Sequence, residues 1–165
     1  MMRGIDNIGI CTTDLTRSVA FYDKLGLSEA YRNDRGVMMA AGTVQLFLFQ
    51  VRRLDPAPVG RELGLFGNPP GIDHISFAVA DVNELYAELC KAGVAFAAPP
   101  EDQSWGARMV GLKDPDGNNL YLLQRFRRYM TPVLASNFST DNASGLHQAD
   151  QRLRRVRFPS MPIAI

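Results

Sequence analysis

Residues 5–27 and 72–94 of this chain align without a gap at an offset of 67. Ile5/Ile72, Asp6/Asp73, Ile8/Ile75, Asp14/Asp81, Lys24/Lys91 and Gly26/Gly93 are identical. Each copy opens on a period-two alternation, stops at an aspartate, continues as an amphipathic stretch and ends at a glycine. That order predicts a strand, an N-cap, a helix and a C′ position. A repeat of this length means the chain is built from two like units that must share a core.

The expected helices carry their apolar stripes at Leu15, Val19, Tyr22 and Leu25, and at Val82, Leu85, Tyr86 and Leu89. Asp81 with Glu84 is a capping-box variant. Three more strands are expected after each helix: 28–32, 36–41 and 44–49 in the first unit, and 94–98, 107–112 and 119–124 in the second. Asn33-Asp34-Arg35-Gly36 and Asp114-Pro115-Asp116-Gly117-Asn118 have the composition of tight turns between strands. Turn chemistry accounts for Asp114 and Asp116, so neither is assigned catalysis. The reading is an α+β chain of two βαβββ modules, 1–50 and 72–128, joined by a Pro- and Gly-rich linker, 51–71. An irregular tail, 129–165, follows; it holds His147 and the basic run Arg152–Arg157.

Composition narrows the function classes. Of 165 residues, 46% are apolar and 21% charged, and the net charge is +1. That balance argues against a nucleic-acid partner and against an acidic trap for cations. Cys11 and Cys90 form no framework and are expected as free thiols. No apolar run approaches membrane-spanning length, and no leader precedes the first strand, so a cytoplasmic address is expected.

Alternation assigns the strand faces. Ile75, Phe77 and Val79 face the core, which turns His74, Ser76 and Ala78 the other way. In the first copy, Asn7, Gly9 and Cys11 take that second face. Leu46, Leu48, Leu120 and Leu122 belong under the helices, leaving Gln45, Phe47, Phe49, Asn119, Tyr121 and Leu123 to face away. A surface of imidazole, phenol, amide and aromatic groups suits a ligand cavity. Two sheets curling toward each other would enclose it.

The paired Ile-Asp-Asn-Ile and Ile-Asp-His-Ile strands, the Ser18–Gly26 helix and Asp114–Asn118 leading into Leu120-Tyr121-Leu122 resemble the vicinal-oxygen-chelate superfamily over residues 4–126. That superfamily includes glyoxalase I, extradiol dioxygenases, methylmalonyl-CoA epimerase and the bleomycin- and fosfomycin-resistance proteins. The resemblance implies a cup-shaped, open mixed sheet and a homodimer. In metal-using members, four strand positions hold a divalent ion; here they match Asn7, Phe47, His74 and Tyr121. Only His74 is a usual ligand type, so no metal and no other cofactor is expected.

Three functional readings stay open. The first is a metal-independent isomerase or lyase acting on a small oxygenated molecule. His74 would move the proton, because an imidazole exchanges protons near neutral pH, and Tyr121 with Asn7 would steady developing negative charge. The second is a binding protein that sequesters a neutral aromatic or anionic molecule unchanged. The third is a divalent-metal lyase or dioxygenase completed by unusual ligands such as Gln45. The ligand-binding candidates are Asn7, Gln45, Phe47, Phe49, Ser76, Trp105, Arg108 and Asn119, with Arg108 as a carboxylate or phosphate anchor. The bland alternative for Arg108 is a surface salt bridge.

Overall fold

The computed structural model describes residues 4–52, 60–64 and 68–126. All described elements fall in the first of two units of the chain, Met1–Tyr129; the second, Met130–Ile165, lies outside the described residues, and with it His147 and Arg152–Arg157. The first module runs β1 (Ile8–Thr12), α1 (Leu15–Lys24), β2 (Ser28–Arg32), β3 (Gly36–Ala41) and β4 (Val44–Gln50). The second runs β5 (Ile75–Ala78), α2 (Val82–Lys91), β6 (Glu101–Gln103), β7 (Ala107–Lys113) and β8 (Asn119–Arg125). Each makes a four-stranded mixed sheet, ordered β1-β4-β3-β2 and β5-β8-β7-β6. The first strand of each module pairs parallel with the last, and the other pairs are antiparallel.

The repeat holds down to its caps. Asp14 accepts from the Arg17 amide at 3.0 Å, and Asp81 from Asn83 and Glu84 at 2.8 and 3.0 Å. These bonds satisfy helix amides that would otherwise lack partners. Both helices end the same way: Leu27 N donates to Tyr22 O at 3.1 Å and Val94 N to Leu89 O at 2.9 Å. Gly26 and Gly93, at φ +89° and +81°, supply the left-handed residue this ending needs.

Helix-side residues of both sheets form one core, with Tyr22, Leu46, Leu48, Val82, Leu112 and Leu122 at its centre. Burial on α1 is shifted from the expected stripe. Tyr22 and Ser18 are buried, while Leu15, Val19 and Leu25 are half-buried. The small polar Ser18 goes inside because its hydroxyl has partners there, Thr12 at 2.6 Å and Asp116 at 3.3 Å.

One expected strand is misplaced. Residues 94–98 form no strand, and Phe96 makes only an isolated bridge to Leu112. Pro99 and Pro100 lack the N–H a ladder needs, so pairing with β7 resumes only at Glu101. The edge strand that results is short and polar, which suits an edge.

The turn between β7 and β8 ties the modules together. Asp114 accepts the Tyr22 hydroxyl at 2.8 Å and, from its own turn, the Asp116 and Asn118 amides at 3.0 and 2.8 Å. Asp116 accepts from the Thr12 hydroxyl at 2.5 Å, the Thr13 amide and hydroxyl at 3.0 and 2.6 Å, and Arg17 at 3.1 Å.

Candidate functional site

The faces turned away from the helices differ in cover. On the first sheet, Phe49 is 37% exposed and Phe47 half-buried, their rings edge-to-face at 4.4 Å. Phe49 lies over Gly9, where an added Cβ would stand 3.0 Å from its ring. On the second sheet, Asn119 and Tyr121 are only 3% and 4% exposed. The linker residues Gly60–Gly64 cover them as a strap. Lys113 Nζ donates to Arg61 O at 2.5 Å and Asn119 Nδ2 to Glu62 O at 2.7 Å. Asn68 closes the strap on itself, accepting from Glu62 N at 3.1 Å and donating to Glu62 O at 2.9 Å.

His74 and Tyr121 stand together, ring centroids 4.8 Å apart and nearly perpendicular. Gly111, opposite Tyr121 on β7, leaves room for the phenol ring. His74 Nδ1 lies 2.8 Å from Asp73 Oδ2, and Asn68 Nδ2 donates to Asp73 Oδ1 at 2.5 Å. The hydrogen bonds from His74 and then from Asn68 hold the Asp73 carboxyl below the usual range. An ionised Asp73 accepts, so Nδ1 donates to it, which selects the neutral tautomer whose lone pair is on Nε2. Burial raises the Tyr121 phenol above its ordinary value; the Gly64 amide bond works the other way, and the Asp73 charge adds to the rise. Tyr121 therefore stays protonated at neutral pH, and its O–H is available to donate.

A groove of about 690 Å³ runs between the unpaired edges of β1 and β5, with the β7–β8 turn at one side. His74 and Asn119 line it from the second module, Gly9 and Cys11 from the first, with Arg52 and Arg61 contributed by the linker.

The remaining candidates lie elsewhere. Ser76 is exposed and pairs in register with Tyr121. Asn7 is exposed and donates to Asp6 at 2.8 Å, and Gln45 is exposed. Trp105 is 40% exposed, with Arg125 5.6 Å from its ring centre. Arg108 alternates with Val110 and Leu112 on the helix-side face. Its guanidinium is taken by Asp102 at 2.7 Å and Asn83 at 2.9 Å. The observed contacts thus join His74 to Tyr121 and Phe47 to Phe49 in two separate clusters. Among the residues that sequence reasoning missed, Asp73 had a signal, its place beside His74. Asn68, Lys113 and the strap had none, because contacts across a linker leave no periodicity.

The four family metal positions hold an amide, a benzyl group, an imidazole and a phenol kept protonated by burial. That donor set does not fit a divalent transition metal. Among the described residues, no three His, Cys, Asp or Glu side chains converge as a metal site, and no helix is long and apolar enough to cross a membrane.

The sequence profile of the Glyoxalase/Bleomycin resistance protein/Dioxygenase superfamily matches residues 4–122. A bleomycin resistance protein from Klebsiella pneumoniae is 27% identical over 111 residues, 67% of this chain and 84% of that protein. Among solved structures, the fosfomycin resistance protein FosX from Listeria monocytogenes superposes with a TM-score of 0.61 at 17% identity, covering 78% of this chain and 98% of that one. A bleomycin-binding protein complexed with bleomycin superposes at 0.56 and 22% identity, covering 75% and 100%. At these identities the structural likeness establishes the fold.

Proposed function

The chain belongs to the glyoxalase/bleomycin resistance protein/dioxygenase superfamily, and from that premise we propose that its groove holds a small oxygenated molecule on which His74 and Tyr121 act as a metal-independent isomerase or lyase. The observation that carries the reading is the Asp73–His74–Tyr121 constellation, with its 2.8 Å carboxylate–imidazole bond and 4.8 Å ring contact. Nε2 of His74 takes a proton from a carbon beside a carbonyl. The Tyr121 hydroxyl donates to the enolate oxygen as charge builds there. With a hydroxyl on the first carbon, His74 then returns the proton to the former carbonyl carbon while the hydroxyl proton passes through Tyr121 to the former carbonyl oxygen, so the atoms balance without a co-reactant. Tyr121 reaches the ligand only when the Gly60–Gly64 strap lifts, since its ring is 4% exposed.

The second reading is sequestration without turnover. It is favoured by the open Phe47–Phe49 pair, an apolar wall for an aromatic molecule, and by relatives whose names record bleomycin resistance and bleomycin binding. His74→Ala separates the two. An enzyme loses turnover by about a hundred-fold or more while retaining its ligand; a sequestering protein shows no turnover to lose, and equal turnover in variant and wild type overturns the catalytic role. Either way we read the protein as a homodimer, its exposed Phe49 and Ile72 supplying apolar contact surface. Light scattering that returns a monomer mass at micromolar concentration sinks that assignment.

A further inference from the structure

Asn119 carries an oxygen that nothing in the described chain satisfies. The residue is 3% exposed and its Nδ2 donates to Glu62 O at 2.7 Å, yet Oδ1 is shut from solvent with no hydrogen-bond partner. Turning the amide over sets Oδ1 against Glu62 O, acceptor facing acceptor, so the orientation is fixed by chemistry. Buried acceptors without partners are rare in native proteins, because the hydration they lose is not recovered. This one stands in the wall of the groove that His74 also lines.

The charged lining residues bear on the rest of the ligand. Arg17 is paired with Asp116 at 3.1 Å. The Arg61 guanidinium is taken by the carbonyls of Pro69 and Pro70, at 2.5 and 3.2 Å, and its charge acts on Asp73. Among the described residues, Arg52 lines the groove with no ion pair or hydrogen bond to a protein group. The uncompensated charge is therefore a guanidinium, which suits a carboxylate.

We propose that Asn119 is the specificity-determining residue of the groove, its Oδ1, uncovered when the Gly60–Gly64 strap lifts, accepting a hydrogen bond from a hydroxyl or N–H of a small carboxylate whose charged end lies toward Arg52. This rests on the groove being the ligand site, as read above, and adds the ligand's class. A carboxylate with no donor leaves Oδ1 unpaired in the complex and is rejected for that reason.

The probes are mandelate and its O-methyl ether, titrated into the full-length, isotope-labelled protein. Mandelate is expected to move the Asn119 side-chain amide and His74 ring signals, and to bind about five-fold or more tighter than the ether. Asn119→Ala removes the preference, so that mandelate and the ether bind with equal affinity. Arg52→Gln weakens both compounds alike. Equal affinities in the wild-type protein, with His74 signals still moving, overturn the role of Asn119 and leave the groove reading standing. If neither compound moves His74 or Asn119, both fall. The wild-type comparison depends on no variant that must fold.

Discussion

Gly111 shows how one missing methyl group positions a phenol. A Cβ there would stand 2.9 Å from Tyr121 Cε1 and 3.3 Å from Leu63 Cδ2. Tyr121 is 4% exposed and packed between β7 and the strap, so its ring has little room to retreat. Gly111→Ala is expected to destabilise the fold by about 1–3 kcal/mol, the usual penalty of overpacking, and to separate Tyr121 from His74. Urea denaturation checks the first effect, and nuclear Overhauser contacts between the two rings check the second. If both match wild type, Gly111 is not what seats Tyr121. The pairing of His74 with Tyr121 was legible in the sequence because parity along two strands aims both side chains at one face. Arg108 shows where such reasoning runs out. Its residue type suggested an anion anchor, but it shares a face with Val110 and Leu112, so its charge meets Asn83 and Asp102 instead.

Among the elements, the strands, helices and caps could be read ahead because each is encoded locally, by period, by capping aspartates and by the glycines that end the helices. The strand expected at 94–98 rested on an apolar run alone, whereas the missing N–H groups of Pro99 and Pro100 decide where pairing begins. The strap could not be read, because its bonds to Lys113, Asn119 and Asn68 join residues with no common pattern. It nevertheless decides access to Tyr121. Lys113 Nζ to Arg61 O, at 2.5 Å, ties it to β7 through a charged side chain. Lys113→Met keeps the length and removes the donor. We expect the Gly64 amide to exchange with solvent about ten-fold faster, while global stability falls by no more than about 1–2 kcal/mol. Hydrogen exchange resolved at Gly64 measures this, and an unchanged rate means that the strap is held without Lys113.

For the first unit as a whole, the two modules are joined by a common core and by ionisable groups in one turn, so its stability should be bounded on both sides of neutrality. Burial works against the Asp116 charge, but the bonds from Thr12 and Thr13 and the charge of Arg17 outweigh it and hold this carboxyl below its usual range. A carboxyl lowered on folding contributes in full above its unfolded value, near ~4, and loses that contribution as pH falls through the folded value. Tyr22 shifts the other way. Burial, then the Asp114 charge, push its phenol well above the ordinary value. A phenol raised on folding contributes in full below its unfolded value, near ~10, and the contribution drains away as pH climbs beyond it. Asp116→Asn should cost about 1–3 kcal/mol at neutral pH, since it leaves Arg17 facing a neutral group, and should flatten the acid limb of a stability–pH curve. The limb will not vanish, because Asp73 is also lowered. Tyr22→Phe should cost less, about 1 kcal/mol, because Asp114 Oδ2 still accepts from the Asn118 side-chain Nδ2 at 2.8 Å. Its effect should appear on the alkaline limb, where Tyr121 and Tyr86, also raised, leave a residual slope. Chemical denaturation from pH 3 to 11 separates the two limbs within one data set. If each substitution lowers the whole curve evenly instead of reshaping its own side, the joint contributes through packing alone, and the electrostatic account of how the modules hold together is wrong.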